Sequence, residues 1–401
     1  MSAGAATGPG IREREAVANI TRRLGICMVI QSYYPHIGGA ERQLQALTAP
    51  LRRRGIDVTV VTRGRPGLAS RAVLRGTRIQ RTFVGGGRAA RSLGFTVGAL
   101  LFMAGRRRCV DIVHAHDLLS PATTAVLAKV LLRRPVVVKV LRGGQLGDLA
   151  VLRSGMFGRL RLWLLARLVD AFVTISDEIE NELRCAGVPG SRLVRIPNGV
   201  DTDWFRPATV NRRAALREEL GLAGRKVAVF VGRIEPEKGI LTLLEAWPTV
   251  RRALPDALLL LAGDGSERPV LQARCVEEAR FVGPVDEPVT LLQAADCFVL
   301  PSYTEGLSNA LLEAMATGLP CVATSIGGNV ELIRGDAEGW LVRPDDSSAL
   351  AQALIDALRG ECRETVGCAA RSRAVREFSL ERTADLLSGL YWRLASRDSL
   401  A

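Results

Sequence analysis

Two carboxylates in one short segment, Glu305 and Glu313 of TEGLSNALLEAMATGLP, stand where a strand-like run gives way to a helix-like one. Carboxylates are good acceptors for vicinal hydroxyls, so the pair suits one sugar and one ribose. Between them lie Leu307, Ser308 and Asn309, whose backbone N–H groups open the expected helix. A helix N-terminus attracts an anion such as phosphate. The competing reading is an acidic first turn that complements the helix dipole. Upstream, VGRIEPEKG places Arg233 and Lys238 at another strand-to-helix turn. A cation at or near a helix N-terminus opposes the dipole, and a bound diphosphate removes that conflict, with Arg233 as a fork and Lys238 as a point charge. Simple pairing with Glu235 and Glu237 is the alternative.

His114 and His116, two of only three histidines, close the run DIVHAHD. On a strand they point to the same face, toward a cleft edge, and the spacing offers no third ligand for a metal. Gly38 and Gly39, in YPHIGGAE, let backbone approach a ligand at a further strand-to-helix turn. Asp201 and Asp203 have a D-x-D spacing but read as a turn, and Asp264 of GDG reads as a cap or a cleft contact.

These residues need elements to hold them. A continuous apolar run at 25–31 precedes a helical pattern at 40–54, and strands recur near 57–62, 112–115, 136–140 and 171–175, with helices near 121–132, 153–169 and 177–186. A second series has strands near 227–231, 257–262, 279–282, 297–300, 320–323 and 339–342. Continuous apolar strands alternating with helices predict parallel sheets covered on both faces. The expected fold is α/β, with two Rossmann-like doubly wound domains facing each other across a cleft. They occupy residues 21–200 and 201–378, after a flexible tail at 1–20 and before a final helix within 379–401. The Asn-, Asp-, Gly- and Pro-rich segment 198–207 is the expected hinge. Ligands of such sheets sit beyond the carboxyl ends of the strands, where the motifs above fall.

Composition narrows the function. The 401 residues are 48% apolar and 24% charged, which excludes disorder, collagen and small disulfide scaffolds. The net charge of +13 comes from 54 basic and 41 acidic residues, and only four of the cations are lysines. Such a charge attracts nucleic acid, a membrane surface or a phosphorylated small molecule. With 5% aromatics there is no stacking platform for single strands, so nucleic acid is not an expected partner. Eight scattered cysteines without a C-x-x-C pair read as reduced, mostly buried thiols of a cytoplasmic protein. No secretory signal or integral span is expected, because the best apolar stretch is interrupted by Arg161, Arg167 and Asp170. The segment 142–167 joins a glycine loop to Arg153, Arg159, Arg161 and Arg167. It reads either as a helix lying peripherally on an anionic membrane face or as an ordinary helix of the cleft.

Taken in order, YPHIGGAE, HAHD, NGVD, VGRIEPEKG, LLLAGDG and TEGLSNALLEAMATGLP resemble the family 4 retaining glycosyltransferases of GT-B fold, from about residue 25 to 394. The most specific element is the E-x7-E of Glu305 and Glu313 followed by AMATGLPCVA at 314–323. The resemblance implies a nucleotide-diphosphate-sugar held mainly by the C-terminal domain and a carbohydrate or lipid-linked acceptor held mainly by the N-terminal one. It gives the donor diphosphate to Arg233 and Lys238 with the N-terminus at Leu307, Ser308 and Asn309, the ribose to Glu313 and the donor sugar to Glu305. Gly38 and Gly39 approach the phosphates or acceptor, and His116 contacts the transferred sugar near its anomeric centre. On the acceptor side the candidate residues are His114, Arg142, Gly143 and Gly144. The base would be read near 281–285, where Pro284 has no N–H to give. The implied chemistry is front-face displacement with retention, needing neither metal nor cofactor, and the final helix crosses back onto the N-terminal domain. Two other readings stay open: a nucleotide-sugar epimerase of the same fold, and a non-catalytic nucleotide-sugar-binding partner subunit.

Overall fold

The computed structural model describes residues 23–35, 38–82, 85, 87–144, 147–155, 157–274, 279–360 and 363–398. The expected tail at 1–20, together with Cys275 and Cys362, lies outside the described residues.

Eight strands build the first sheet: β1 (Leu24–Ile30), β2 (Ile56–Arg63), β3 (Arg71–Leu74), β4 (Thr77–Thr82), β5 (Ile112–His116), β6 (Val136–Lys139), β7 (Ala171–Thr174) and β8 (Leu193–Arg195). Their spatial order is β3-β4-β2-β1-β5-β6-β7-β8, parallel except for the β3/β4 pair. Every residue of the central β1 and β5 is buried, as strands covered on both faces must be. The second sheet is wholly parallel, with β9 (Lys226–Val231), β10 (Ala257–Ala262), β11 (Ala279–Gly283), β12 (Cys297–Leu300), β13 (Cys321–Thr324) and β14 (Trp340–Val342) in the order β11-β10-β9-β12-β13-β14.

Three features depart from the sequence reading. No elements were expected between residues 63 and 111, where the structure has the β3/β4 hairpin and the helix Arg88–Gly105. The hairpin lies at the sheet edge, so β3 alternates exposed and half-buried residues instead of running apolar. The expected helix at 153–169 is two helices, Asp148–Ser154 and Gly158–Leu168. They break because Gly155 is extended and Phe157 is left-handed at φ 62°, and a Cβ on Gly158 would run into the Leu152 carbonyl. Among the described thiols only half are buried: Cys27, Cys297 and Cys321 are, while Cys109, Cys185 and Cys368 are exposed, each on a surface helix or helical turn.

The chain crosses between the sheets twice, and the crossings pair with each other. Val200 N donates to the Phe378 carbonyl and Leu380 N to the Val200 carbonyl, each at 2.8 Å. A Cβ on Gly199 would stand 2.6 Å from Thr383 Oγ1, which explains the glycine at this close approach. The final helix, Leu380–Asp398, then lies against the helix Gly39–Arg53, where Arg54 reaches Glu381 and Asp385 at 2.7 Å each. Leu387, Leu390, Tyr391 and Leu394 enter the core on that face of the first sheet. The last helix is thus part of the N-terminal domain in space. Asp201 accepts from the backbone N–H groups of Asp203 and Trp204, which makes the D-x-D pair a turn.

Candidate active site

The carboxyl ends of β1, β5 and β6 face those of β9 and β12 across a cavity of about 590 Å³. On the second domain, Arg233 follows β9 and leads into the helical turn Pro236–Lys238. Gly239 then takes a left-handed φ of 64°, and a Cβ there would run into the Pro301 carbonyl. Backbone therefore rests on backbone at this point, which brings Lys238 Nζ within 2.6 Å of Glu305 Oε1. Ser302 Oγ donates to the same oxygen at 2.8 Å. Lys238 precedes the helix Ile240–Ala253, whose N-cap is Gly239, and its charge is balanced by Glu305. Arg233 pairs with Glu237 at 2.6 Å, while Glu235 accepts from Ser266.

The helix Asn309–Ala316 starts where the sequence puts it. Ser308 is its N-cap, with Oγ accepting from Leu311 N at 3.3 Å. Leu307, Ser308 and Asn309 line the cavity, as do Arg233, Lys238 and Glu305. Glu313 stands one turn further in, behind the lining residues. Burial pushes its carboxyl up to about 7, countered only by Arg42. Arg42 also donates to the Val285 carbonyl at 3.0 Å, tying the two domains together beside Pro284.

On the first domain, Gly38 and Gly39 line the cavity at the start of Gly39–Arg53. The Glu41 carboxylate reaches back to the Gly38 N–H at 2.9 Å. His116 lines the cavity, and its Nε2 is buried with no partner. His114 shares its face and stacks on it at 4.6 Å, as the spacing predicts. It does not line the cavity, however. Its Nδ1 lies 2.5 Å from Tyr391 Oη, in the core covered by the final helix. In this structure His114 therefore anchors that helix, apart from the residues that line the cavity. Burial holds His114 down at about 3 and His116 well below its ordinary value, so both rings are neutral at pH 7.

Arg142 lines the cavity and pairs with the buried Asp148 at 3.4 Å. Gly143 backs onto Glu178, where a Cβ would stand 2.9 Å from a carboxylate oxygen. Gly144, left-handed at φ 77°, gives its N–H to Glu182 at 2.6 Å and lines a second cavity of about 770 Å³. Glu305 borders both cavities.

Among the lining residues that the sequence analysis does not single out are Asp117, Lys139 and Asn198. Asp117 follows the two histidines with φ 99°, a strained conformation for a residue with a side chain, and burial pushes its carboxyl up to about 8. A charged residue closing the apolar run VVVK was the available signal for Lys139, and NGVD was the signal for Asn198. Among the described residues no cluster of three or more His, Cys, Asp or Glu side chains could hold a metal ion.

Most of the chain has known relatives. The domain described as Glycosyltransferase Family 4 matches residues 37–204, and that described as Glycosyl transferases group 1 matches residues 225–360. A glycogen synthase of Mycobacterium tuberculosis is 29% identical over 91% of this chain and 94% of its own length. A phosphatidyl-myo-inositol mannosyltransferase of Mycobacterium leprae is 34% identical over 52% of this chain and 56% of its own. Among solved structures, sucrose-phosphate synthase from Thermosynechococcus elongatus superposes with a TM-score of 0.79 at 23% identity, covering 94% of this chain and 100% of that one. The Anabaena HepE complex with UDP and glucose superposes with a TM-score of 0.76 at 20% identity, over 92% and 99%. The two facing sheets and the matches to both halves agree, and the chain belongs to glycosyltransferase family 4.

Proposed function

We propose that the protein moves a sugar from a nucleotide-diphosphate-sugar to a carbohydrate or lipid-linked acceptor, with retention of anomeric configuration. The observation that carries this is the meeting, around one cavity, of Arg233, the Lys238–Glu305 pair, the N-terminus at Ser308 and Asn309, and His116. Relatives named as galactosyl- and mannosyltransferases favour transfer over epimerisation or mere binding.

In this reading the diphosphate lies against Arg233, Lys238 and the helix N-terminus, Glu305 accepts from hydroxyls of the donor sugar, and Glu313 accepts from the ribose. Neutral His116 offers its unpartnered Nε2 to the sugar. The acceptor oxygen attacks the anomeric carbon on the face from which the diphosphate departs. The bond to the diphosphate breaks, the glycosidic bond forms, and the acceptor proton passes to the departing phosphate oxygen. The two cations and the helix N-terminus meet the charge that develops there, in place of a metal ion. Each such donor contributes about 3–4 kcal/mol to the transition state.

The lipid-linked acceptor draws support from one face of the first domain. Residues 88–168 hold 14 basic and 3 acidic residues. Asp111 and Asp148 are buried and Asp117 faces the cleft, so no acid of this stretch reaches the outer surface. Three neighbouring helices on it expose apolar stripes: Leu93, Val97 and Leu101 on Arg88–Gly105, Val130 and Leu131 on Ser120–Leu132, and Leu160 and Trp163 on Gly158–Leu168. Among the described residues no helix is long and apolar enough to cross a membrane. A basic face with apolar stripes lies on an anionic bilayer instead, at the cytoplasmic side.

The test is incubation with α-linked UDP-, GDP- and ADP-sugars in EDTA. Release of one nucleoside diphosphate, and an α-linked product by NMR once an acceptor is supplied, is the expected result. A β-linked product would overturn retention, and activity restored only by a divalent cation would overturn the metal-free reading.

A further inference from the structure

Lys139 ends β6, whose residues are all buried, and is itself only 3% exposed. Its ammonium has three protons to donate, and one goes to Asn198 Oδ1 at 2.7 Å. That partner is a neutral amide. The other cations lining the cavity each have a carboxylate: Arg142 has Asp148, Arg233 has Glu237 and Lys238 has Glu305. Among the described residues Lys139 has none within ion-pair distance. A buried charge without a counter-charge is costly, and an apolar residue of similar size would pack the same space at less cost.

The surroundings show where the missing anion belongs. Lys139 is the register partner of His116 across the β5/β6 pairing, so the two side chains leave the sheet next to each other on one face. His116 Nε2 is buried and unpartnered, and both residues line the cavity. Asn198 Nδ2 continues the network to the second domain, donating to Asn309 Oδ1 at 2.9 Å and to the Leu307 carbonyl at 3.3 Å.

We infer that Lys139, with His116 and Asn198 beside it, is an anion subsite on the N-terminal wall of the cleft, taking a carboxylate or phosphate carried by the acceptor or by the transferred sugar. The inference rests on the transferase reading for its two possible ligands. It is separate from the donor diphosphate site, whose cations are already balanced by carboxylates of their own domain.

The experiment uses the full chain and the variants Lys139→Gln and Lys139→Met, with calorimetric titration. One arm compares UDP-glucuronate with UDP-glucose, and GDP-mannuronate with GDP-mannose. The other compares glucose 6-phosphate with glucose on protein saturated with nucleoside diphosphate, and adds inorganic phosphate on the free protein. In one arm the charged probe is expected to bind wild type at least tenfold more tightly than its neutral counterpart, with the preference falling below twofold in Lys139→Gln. The arm that responds identifies the source of the anion. Lys139→Met is expected to raise the thermal midpoint of the free protein, whereas a purely structural lysine would lower it. No charge preference in either arm, or a preference that survives both substitutions, overturns the subsite. Failure of every nucleoside diphosphate to bind counts against the transferase reading, and the phosphate titration of the free protein then still decides Lys139.

Discussion

Asn309 Nδ2 donates to the Gly39 carbonyl at 2.8 Å, so the first residue of the donor-side helix is tied to the first residue of the opposite domain's first helix. A Cβ on Gly39 would stand 3.2 Å from that same amide nitrogen. The cleft thus closes on a contact made by backbone on one side and by a helix N-terminal side chain on the other. Removing it in Asn309→Ala is expected to weaken donor binding about fivefold, the equivalent of one hydrogen bond of about 1 kcal/mol. Calorimetric titration with the preferred nucleotide-sugar checks this; unchanged affinity would mean that the contact does not report closure.

Lys238 and Glu305, with side chains 16% and 11% exposed, form the best-shielded ion pair in the cavity. In the proposed mechanism Lys238→Ala removes a cation from the leaving group and strands the Glu305 carboxylate beside the donor sugar. Turnover should fall by about 10²–10³, as for loss of one oxyanion donor. Glu305→Gln keeps an acceptor oxygen but loses the charge pairing, so its loss should be smaller and fall mainly on sugar selectivity. Steady-state rates of both variants and of the double mutant measure the coupling, and strictly additive losses would contradict it.

Glu313 gives the site a pH dependence. Its carboxyl is raised to about 7 in the fold, above the ordinary carboxylate value, so the protonated form is favoured by folding. The stability this contributes is present below the unfolded pKa and is lost as pH rises through about 7. In the proposed donor pose, ribose recognition needs the ionised form, which accepts from both hydroxyls. Nucleotide affinity should therefore rise as pH increases through about 7, with proton release, and the slope should vanish in Glu313→Gln. An affinity flat between pH 6 and 8 in wild type would remove Glu313 from the ribose.

Tyr391 and His114 form a buried hydrogen bond between the last helix and β5. Tyr391→Phe leaves the His114 nitrogen without its partner, at a cost of about 1–3 kcal/mol. The thermal midpoint should fall while turnover at 25 °C stays near wild type, because His114 is outside the cavity. A turnover loss without a stability loss would return His114 to the acceptor side.

Trp163 and Leu160 are half exposed on the basic face. The protein is expected to float with vesicles containing phosphatidylglycerol and not with pure phosphatidylcholine, and binding should weaken as salt is raised. The double substitution L160S with W163S should abolish flotation without changing nucleotide affinity. Equal recovery with both vesicle types, or none with either, would contradict an electrostatic membrane face.

Much of this molecule was readable before the structure, for physical reasons that also explain the gaps. The central strands betray themselves as continuous apolar runs because both of their faces are covered; RAVL and TRIQRT, the two strands of the hairpin at the sheet edge, do not. The glycine-bearing turns around Lys238 and Ser308 were legible because a strand-to-helix turn leaves a local signature. What spacing could not show is which partner each charge takes. Glu237 and Glu305 lie one and 67 positions from Lys238, and the Gly239 turn against Pro301 selects the distant one. Likewise His114 and His116 are equivalent on the strand, and only the arrival of Tyr391 from the other end of the chain separates core from cleft. Lys139 and Asn198 belong to no phosphate or carboxylate pattern, and their link exists only across the fold.

The most direct test of the account is calorimetric titration of the wild-type protein, Lys238→Ala and Glu313→Ala with UDP, GDP and ADP in EDTA. One nucleoside diphosphate is predicted to bind wild type and to lose at least tenfold in affinity in each variant. Binding that is equally tight in all three proteins, or none to wild type by any of the three nucleotides, would contradict the assignment of this cleft to a nucleotide-sugar donor.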